Sequence, residues 1–120
     1  KDATARNLSR FAVPVAGGRL CAHFGHCETF ALLDVDETSK TIVGRQDIEA
    51  PPHEPGLLPR WLQERGATTI IAGGMGSRAR GLFDERGIRV IVGATPDKPE
   101  AVVQAYLSGN LVTGENVCDH

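Results

Sequence analysis

Residues 68–92, TTIIAGGMGSRARGLFDERGIRVIV, indicate the fold class of this chain. Residues 68–72 are β-branched and apolar, and they predict a buried strand. The glycine-rich turn GGMG follows, and residues 77–86 then predict a helix that a glycine ends. Residues 88–92 predict a second strand. A strand, a helix and a strand in this order predict two parallel strands joined by a crossover helix, as in α/β proteins.

Upstream of this unit the pattern predicts three further strands, at residues 11–16, 29–35 and 41–48. The link between the last two, residues 36–40, is polar and short enough for a hairpin, so this half is expected to form an antiparallel meander. Pro14 predicts that the first strand lies at a sheet edge or that the proline lies at a strand end, because proline donates no ladder hydrogen bond.

The remaining periodic segments predict two more helices. One covers residues 57–65, and the other opens at Thr95-Pro96-Asp97 and runs through Leu107. The expected architecture is therefore an α/β domain with a mixed five-stranded sheet, three antiparallel strands followed by parallel strands, and about three helices. Residues 1–9 are polar and predict a flexible tail, and residues 10–120 predict a single domain.

Composition narrows the function classes. The chain has 120 residues and a net charge of -2, so nothing favours nucleic acid or an anionic membrane as a partner. No run is long enough for a membrane span and no signal peptide is visible. Three cysteines are an odd count, which favours a reducing, cytoplasmic location over a disulfide framework. A Cys21–Cys27 disulfide with one remaining thiol stays open as an alternative.

Thiols and imidazoles are concentrated in two short windows of the chain. The first window holds Cys21, His23, His26 and Cys27, and the second holds Cys118 and His120. These are ligand types that copper, zinc and iron–sulfur species prefer. A turn at Gly25 would let the first window converge on one ion or cluster, and a mobile chain end would act as a flap. A buried Cys-rich loop with surface histidines and a frayed end is the structural alternative.

Two further features are candidates for the same site. His53 lies in a rigid Pro-rich loop, although a lone loop histidine is more often a plain surface residue. The turn at Gly73, Gly74, Met75 and Gly76 leads into a helix whose first turn carries Arg78 and Arg80. A helix N-terminus favours an anion, and Met75 would either donate a thioether or fill a gap.

Two catalytic or cofactor interpretations receive less support. Residues 74–79 satisfy the dinucleotide fingerprint G-x-G-x-x-A, but the next strand ends in IVG without the acidic residue that this fingerprint needs. Asp34 and Asp36 would lie on one face of a strand, as paired magnesium carboxylates do, but carboxylates beside a hairpin turn are more often solvated.

Several motifs together give the chain a family resemblance. They are FAVPV at 11–15, HFGH at 23–26 followed by Phe30, PHEPG at 52–56, GGMG at 73–76 followed by Arg78-Ala79, Gly87-Ile88, YLSGNL at 106–111 and NVCDH at 116–120. In order and spacing the chain resembles the dinitrogenase iron–molybdenum cofactor biosynthesis family over nearly all of residues 10–120.

The resemblance implies a three-layer, ribonuclease H-like fold and a role in carrying, storing or assembling molybdenum- or iron-containing sulfur clusters. The orange protein of sulfate-reducing bacteria, which holds a molybdenum–copper–sulfide cluster, belongs to the same group. The motifs imply a site made of His23, His26, His53, the GGMG turn, Cys118 and His120. Cys21 and Cys27 flank the first motif and favour a thiolate-rich, copper-containing site.

The function expected from the sequence is that of a non-catalytic protein that binds an anionic metal–sulfur cluster containing molybdenum with iron or copper. Arg19, Arg78 and Arg80 would offset its charge. Its expected partners are the cluster or its precursor and a cofactor-donor or acceptor protein, with the chain a monomer or weak homodimer. A simple zinc or Cu(I) binding protein, acting as a chaperone or sensor, is one alternative. A metal-dependent phosphoesterase that uses Asp34 and Asp36 is the other.

Overall fold

The computed structural model describes residues 8–21, 28–51, 57–94 and 97–109. Within these residues the strands are β1 Leu8–Ala16, β2 Arg19–Leu20, β3 Thr29–Asp36, β4 Thr41–Glu49, β5 Thr69–Ile71 and β6 Arg89–Ile91. The helices are α1 Leu57–Glu64, α2 Ser77–Glu85 and α3 Pro99–Leu107. The strands form one sheet in the order β4-β3-β1-β5-β6, and β2 pairs with β1.

Strand directions confirm the mixed α/β sheet. β3 pairs antiparallel with both β1 and β4, whereas β5 is parallel to both β1 and β6. The predicted meander and parallel pair are therefore both present, and three helices accompany them in the described residues. The predicted count of five strands omitted β2, because a two-residue strand after Gly17 and Gly18 is too short to show periodicity.

The first strand begins earlier than the sequence indicated. Leu8 pairs with Asp36 and Ser9 with Val35, so two residues assigned to the predicted tail 1–9 belong to the sheet. The local sequence pattern does not predict this pairing, because Ser9 is polar and Leu8 is an isolated apolar residue. The pairing depends on β3, which lies about 25 residues further along the chain. Residues 1–7 lie outside the described residues.

Pro14 lies in a central strand, with β3 on one side of β1 and β5 on the other, so the predicted edge position is wrong. The predicted alternative, a position near a strand end, agrees with β1, which ends at Ala16. The Val15 carbonyl faces β3, where it accepts the Glu28 N–H at 2.8 Å, so the Pro14 backbone faces the other way. Pairing with β5 has ended at Ala12 by that point. On that side the Pro14 carbonyl accepts the Cys21 N–H at 2.8 Å, in register with β2, so the missing proline N–H removes one bond at the end of this short pairing and none to β3 or β5.

The sheet is covered on both faces, as alternation along the strands requires. Phe11 and Val13 belong to a core cluster that includes Val102 and Val103 of α3. Ala12 and its same-face neighbours belong to a second cluster, which buries α1 and α2. The result is a helix–sheet–helix arrangement with α3 on one face and α1 and α2 on the other.

An ion-pair network attaches α3 to the outer strand β4. Arg45 Nε lies 2.7 Å from Asp47 Oδ1, and Arg45 Nη1 lies 2.5 Å from Glu100 Oε1 in the first turn of α3. The Arg45 hydrogen bonds lower the pKa of Asp47 and the pKa of Glu100, and they raise the pKa of Arg45. A carboxylate whose folded pKa is lowered adds stability above its unfolded pKa and loses it as the pH falls through the folded value.

We therefore expect the free energy of unfolding to decrease on acidification below the ordinary carboxyl pKa values of 3.8 and 4.5. The loss from this network should stay under about 1 kcal/mol, because both carboxylates are roughly half exposed and screened by salt. Urea unfolding at about pH 6 and about pH 3 in low salt measures it. Arg45→Met should reduce this acid sensitivity, and an unchanged pH dependence in that variant would contradict the assignment.

Candidate functional site

One edge of the sheet collects most of the segments that the sequence nominated. It is the edge at which the parallel strands β1, β5 and β6 end, and we call it the carboxyl edge. Thr29, the first residue of β3, pairs there with Val15 near the end of β1. Glu49, the last residue of β4, pairs with Thr29. Connections that leave the sheet at this edge therefore start close together.

The first Cys/His window is attached to the carboxyl edge at both ends. The Cys21 N–H donates to the Pro14 carbonyl at 2.8 Å, and the Glu28 N–H donates to the Val15 carbonyl at 2.8 Å. Cys21 itself is buried, with 8% of its surface exposed. His23, His26 and Cys27 lie outside the described residues, but the chain that carries them begins and ends here.

The loop that carries His53 leaves from the same place. The Ala50 N–H donates to the Glu28 carbonyl at 3.0 Å, which fixes the end of β4 beside the first window. His53 lies outside the described residues. The described chain resumes at Leu57, and α1 then runs to the opposite edge, where Arg10 Nη1 donates to the Arg65 carbonyl at 2.6 Å.

The GGMG turn lies at the carboxyl edge between β5 and α2. Gly73 and Gly74 are buried, and the Gly73 carbonyl accepts the Gly93 N–H at 2.9 Å. Met75 is fully buried in the core cluster on the α1 and α2 face. Gly76 is the N-cap of α2, and a Cβ at that position would meet nothing within 4 Å. The turn thus presents the start of α2 to solvent.

The first turn of α2 is electropositive. Gly76 has no side chain to cap the helix, and no acidic residue lies in the first turn. Arg78 is exposed there and Arg80 is half-buried. Cations near a helix N-terminus are unfavourable by roughly 0.3–1 kcal/mol each, because the helix dipole is positive at that end. This arrangement costs the isolated helix stability and favours an anion at the turn.

Arg19 lies at the same edge of the sheet, in β2, where it pairs with Ala16 and is exposed. Arg80 and Arg78 lie on different faces of α2. Arg80 shares its face with Ser77 and Asp84, and these three residues line a cavity of about 470 Å³ beside β6. The predicted cofactor-binding residues are therefore neighbours along one edge, with Arg80 at its outer end.

The connection between β6 and α3 also lies at this edge, and the sequence did not predict it as part of the site. Gly93 follows β6 with a φ of 86°, a conformation that favours glycine. The Leu20 N–H donates to the Asp97 carbonyl at 2.8 Å, so the start of α3 is fixed beside β2. The available signal was the position of Gly93 after a parallel strand, because such strands end at one edge.

Comparison with known proteins identifies the family. A sequence profile described as dinitrogenase iron-molybdenum cofactor matches residues 8–109. The chain belongs to this family. The match covers every described strand and helix, including the GGMG turn.

Relatives of this dinitrogenase iron-molybdenum cofactor family member span almost its whole length. An uncharacterized Methanocaldococcus jannaschii protein, MJ0580, is 28% identical over 109 residues, which cover 87% of this chain and 90% of the relative. The crystal structure of PH0822 shares 26% identity with a TM-score of 0.81, covering 89% of this chain and 96% of that one. The apo orange protein from Desulfovibrio gigas, at 21% identity, has a TM-score of 0.70 and covers 92% of this chain and 97% of its own. At that identity the orange protein supports the fold alone.

The carboxylates of the phosphoesterase alternative have structural partners in this family member. Asp34 Oδ1 accepts a hydrogen bond from Arg10 Nε at 2.7 Å, and this bond raises the pKa of Arg10. Asp36 Oδ1 accepts the Thr38 N–H at 3.0 Å inside the β3–β4 hairpin. Both lie toward the edge opposite the GGMG turn. In the ranges that the structure describes, no group of three or more His, Cys, Asp or Glu side chains is placed to hold a metal ion.

The chain reaches its last described residue far from the carboxyl edge. Arg89 Nη1, at the start of β6, donates to the Tyr106 hydroxyl at 3.0 Å. Gln104 Nε2 donates to the Lys40 carbonyl in the β3–β4 turn at 3.3 Å. Helix α3 therefore ends at the opposite edge, and Cys118 and His120 lie outside the described residues. Of the described helices, none has the length and apolar character that crossing a membrane requires.

Proposed function

We propose that this chain binds an anionic metal–sulfur cluster at the carboxyl edge and carries or stores it during assembly of a molybdenum- or iron-containing cofactor. The observation that carries the proposal is the common origin of three connections. The Cys21–Cys27 window, the His53 loop and the GGMG turn all leave the sheet at that edge. Membership of the dinitrogenase iron-molybdenum cofactor family supports the same class of cargo.

Charge supports an anionic cargo over a bare cation. The first turn of α2 offers uncapped N–H groups, two arginines and no carboxylate. A sulfide-bridged cluster with a net negative charge is stabilised by such donors and by the helix dipole, whereas a free Zn²⁺ or Cu(I) ion is repelled by them. A thiolate and imidazole set would then supply direct ligands, since soft metals prefer them.

The proposed site contains two kinds of residue, direct metal ligands and surrounding hydrogen-bond donors. The direct metal ligands would come from Cys21, His23, His26, Cys27, His53, Cys118 and His120. The surrounding charge and amide donors would come from Gly73, Gly74, Gly76, Arg19, Arg78 and Arg80, with Met75 packed beneath. The metals would be molybdenum with iron or copper, held without catalytic turnover.

The helix–sheet–helix layering also fits the ribonuclease H-like architecture that the family resemblance implies. We propose that the chain has this ribonuclease H-like fold and that it acts in the cytoplasm, where its thiols stay reduced. Fold alone transfers no nuclease activity, because activity belongs to the site. A cofactor-donor or acceptor protein would be the physiological partner.

Anaerobic reconstitution tests the proposal. Metal-free protein would be treated with tetrathiomolybdate and a Cu(I) salt, desalted, and analysed for metals and acid-labile sulfide. We expect visible charge-transfer absorption with molybdenum, copper and sulfide retained together. A single retained metal ion without sulfide would favour the simple zinc or Cu(I) binding protein, and a colourless, metal-free product would overturn both. Ser39→Ala, at the opposite edge, should retain the same cluster content as the unmodified chain.

A further inference from the structure

Strand β6 has a neighbour on one side only among the described strands. The Arg89 N–H donates to the Thr68 carbonyl at 3.0 Å, and the Ile91 carbonyl accepts the Ala72 N–H at 2.8 Å. Backbone groups alternate along a strand, so Val90 between them directs its N–H and its carbonyl away from β5. These outward groups can bond an additional strand, as any exposed sheet edge can.

A cavity of about 470 Å³ lies directly beside this outer edge. It is lined by Ser77, Arg80, Gly81, Asp84, Arg89 and Val90. Gly81 is the central residue of α2, it is exposed, and a Cβ there would meet nothing within 4 Å. Alanine at an exposed helix interior is about 1 kcal/mol more favourable than glycine. Packing among the described residues therefore gives no reason for glycine here, whereas close approach of another chain would give one.

We infer that the outer side of strand β6 pairs with the outer side of β6 in a second copy of the chain, and that the two β6 strands run antiparallel. A two-fold axis through the Val90 pair would leave α2 of both copies on the same sheet face. Because the axis reverses the helix direction, Arg80 of each copy would meet Asp84 of the other, with Gly81 between them. The surface is thus self-complementary in charge, which an isologous two-fold interface requires.

The chain's own C-terminal segment is a poorer occupant of this edge. Helix α2 connects β5 to β6 across one face of the sheet, and α3 leaves β6 across the other face. If a strand followed α3 and paired with the outer side of β6, the connection from β6 through α3 to that strand would be a crossover. Its handedness would be opposite to that of the β5–α2–β6 crossover, because α2 and α3 lie on opposite faces of the sheet. Parallel crossovers are right-handed in about 98% of cases, so one chain rarely contains both hands.

Charge exchange between copies tests the interface on metal-free protein, so its outcome is independent of cluster binding. In sedimentation velocity, we expect a concentration-dependent monomer–dimer equilibrium for the unmodified chain. Arg80→Asp and Asp84→Arg should each weaken dimerisation at least tenfold, because each sets like charges against each other. An equimolar mixture of the two variants should form a heterodimer, since every cross-chain pair is then attractive.

The double variant Arg80→Asp with Asp84→Arg checks the folding of the modified helix. It should dimerise like the unmodified chain and give the same circular dichroism spectrum. A chain that is monomeric at all concentrations would overturn the inference. So would single variants that still dimerise normally, or a mixture that recovers no heterodimer.

Discussion

Gly76→Asp is expected to make the protein slightly more stable and at least tenfold weaker in binding its anionic cargo. Gly76 is the N-cap of α2, with φ -66° and ψ 154°, an extended backbone that suits aspartate, and its Cβ direction is open. Aspartate would accept a hydrogen bond from the first turn and add a few tenths of a kcal/mol. The same carboxylate would face the cluster, and like charges about 4 Å apart repel by about 4 kcal/mol near a protein surface.

Gly76→Ser is the matched control for that variant. Serine caps the helix about as well as aspartate but carries no charge. It should reproduce the gain in the free energy of unfolding and leave the affinity for tetrathiomolybdate within about threefold, a difference of about 0.7 kcal/mol. If aspartate and serine bind the anion equally well, the start of α2 plays no electrostatic part in the site.

Phe83→Ala is expected to lower the free energy of unfolding by about 3–5 kcal/mol. Phe83 is fully buried in the cluster beneath α2, together with Met75 of the GGMG turn. Its carbonyl also accepts the N–H groups of Arg86 and Ile88, both at 3.0 Å, where the helix ends. Total stability of such a domain is about 5–15 kcal/mol, so the loss is a large share of it.

Leu82→Ala provides the comparison on the same helix. Leu82 is only half-buried, so its truncation should cost clearly less than that of Phe83. Urea unfolding followed by circular dichroism measures both variants. A loss under about 1 kcal/mol for Phe83→Ala would mean that α2 is not anchored through this ring, and the support for the GGMG turn would need another source.

Much of the fold was predictable because it depends on local alternation. The apolar runs of β3 and β5 and the glycines after β5 gave the mixed sheet and the parallel pair. The pairing of Leu8 with Asp36 was not predictable, since it depends on a distant strand rather than on local pattern. The position of Pro14 in a central strand was also not predictable, because the strand register decides which way a single backbone group points.

The candidate site shows the same division. The residue types in the first Cys/His window and the GGMG turn were evident from the sequence, and their common edge follows from strand order. The role of Gly93 was missed, because its meaning depends on β6 being parallel to β5. The carboxylates considered for hydrolysis gained structural partners, Arg10 and the hairpin backbone, that only the fold brings near them.

The binding position of a metal–sulfide anion can be mapped by NMR. Metal-free, ¹⁵N-labelled protein would be titrated with tetrathiomolybdate under anaerobic conditions while backbone amide signals are followed. We expect the largest changes at the carboxyl edge, at Glu28, Gly73, Gly76 and Gly93. Signals at the opposite edge, such as Ser39, Gly66 and Gly87, should stay unchanged. Changes concentrated at the opposite edge, or no change at any amide, would contradict cluster binding at the carboxyl edge.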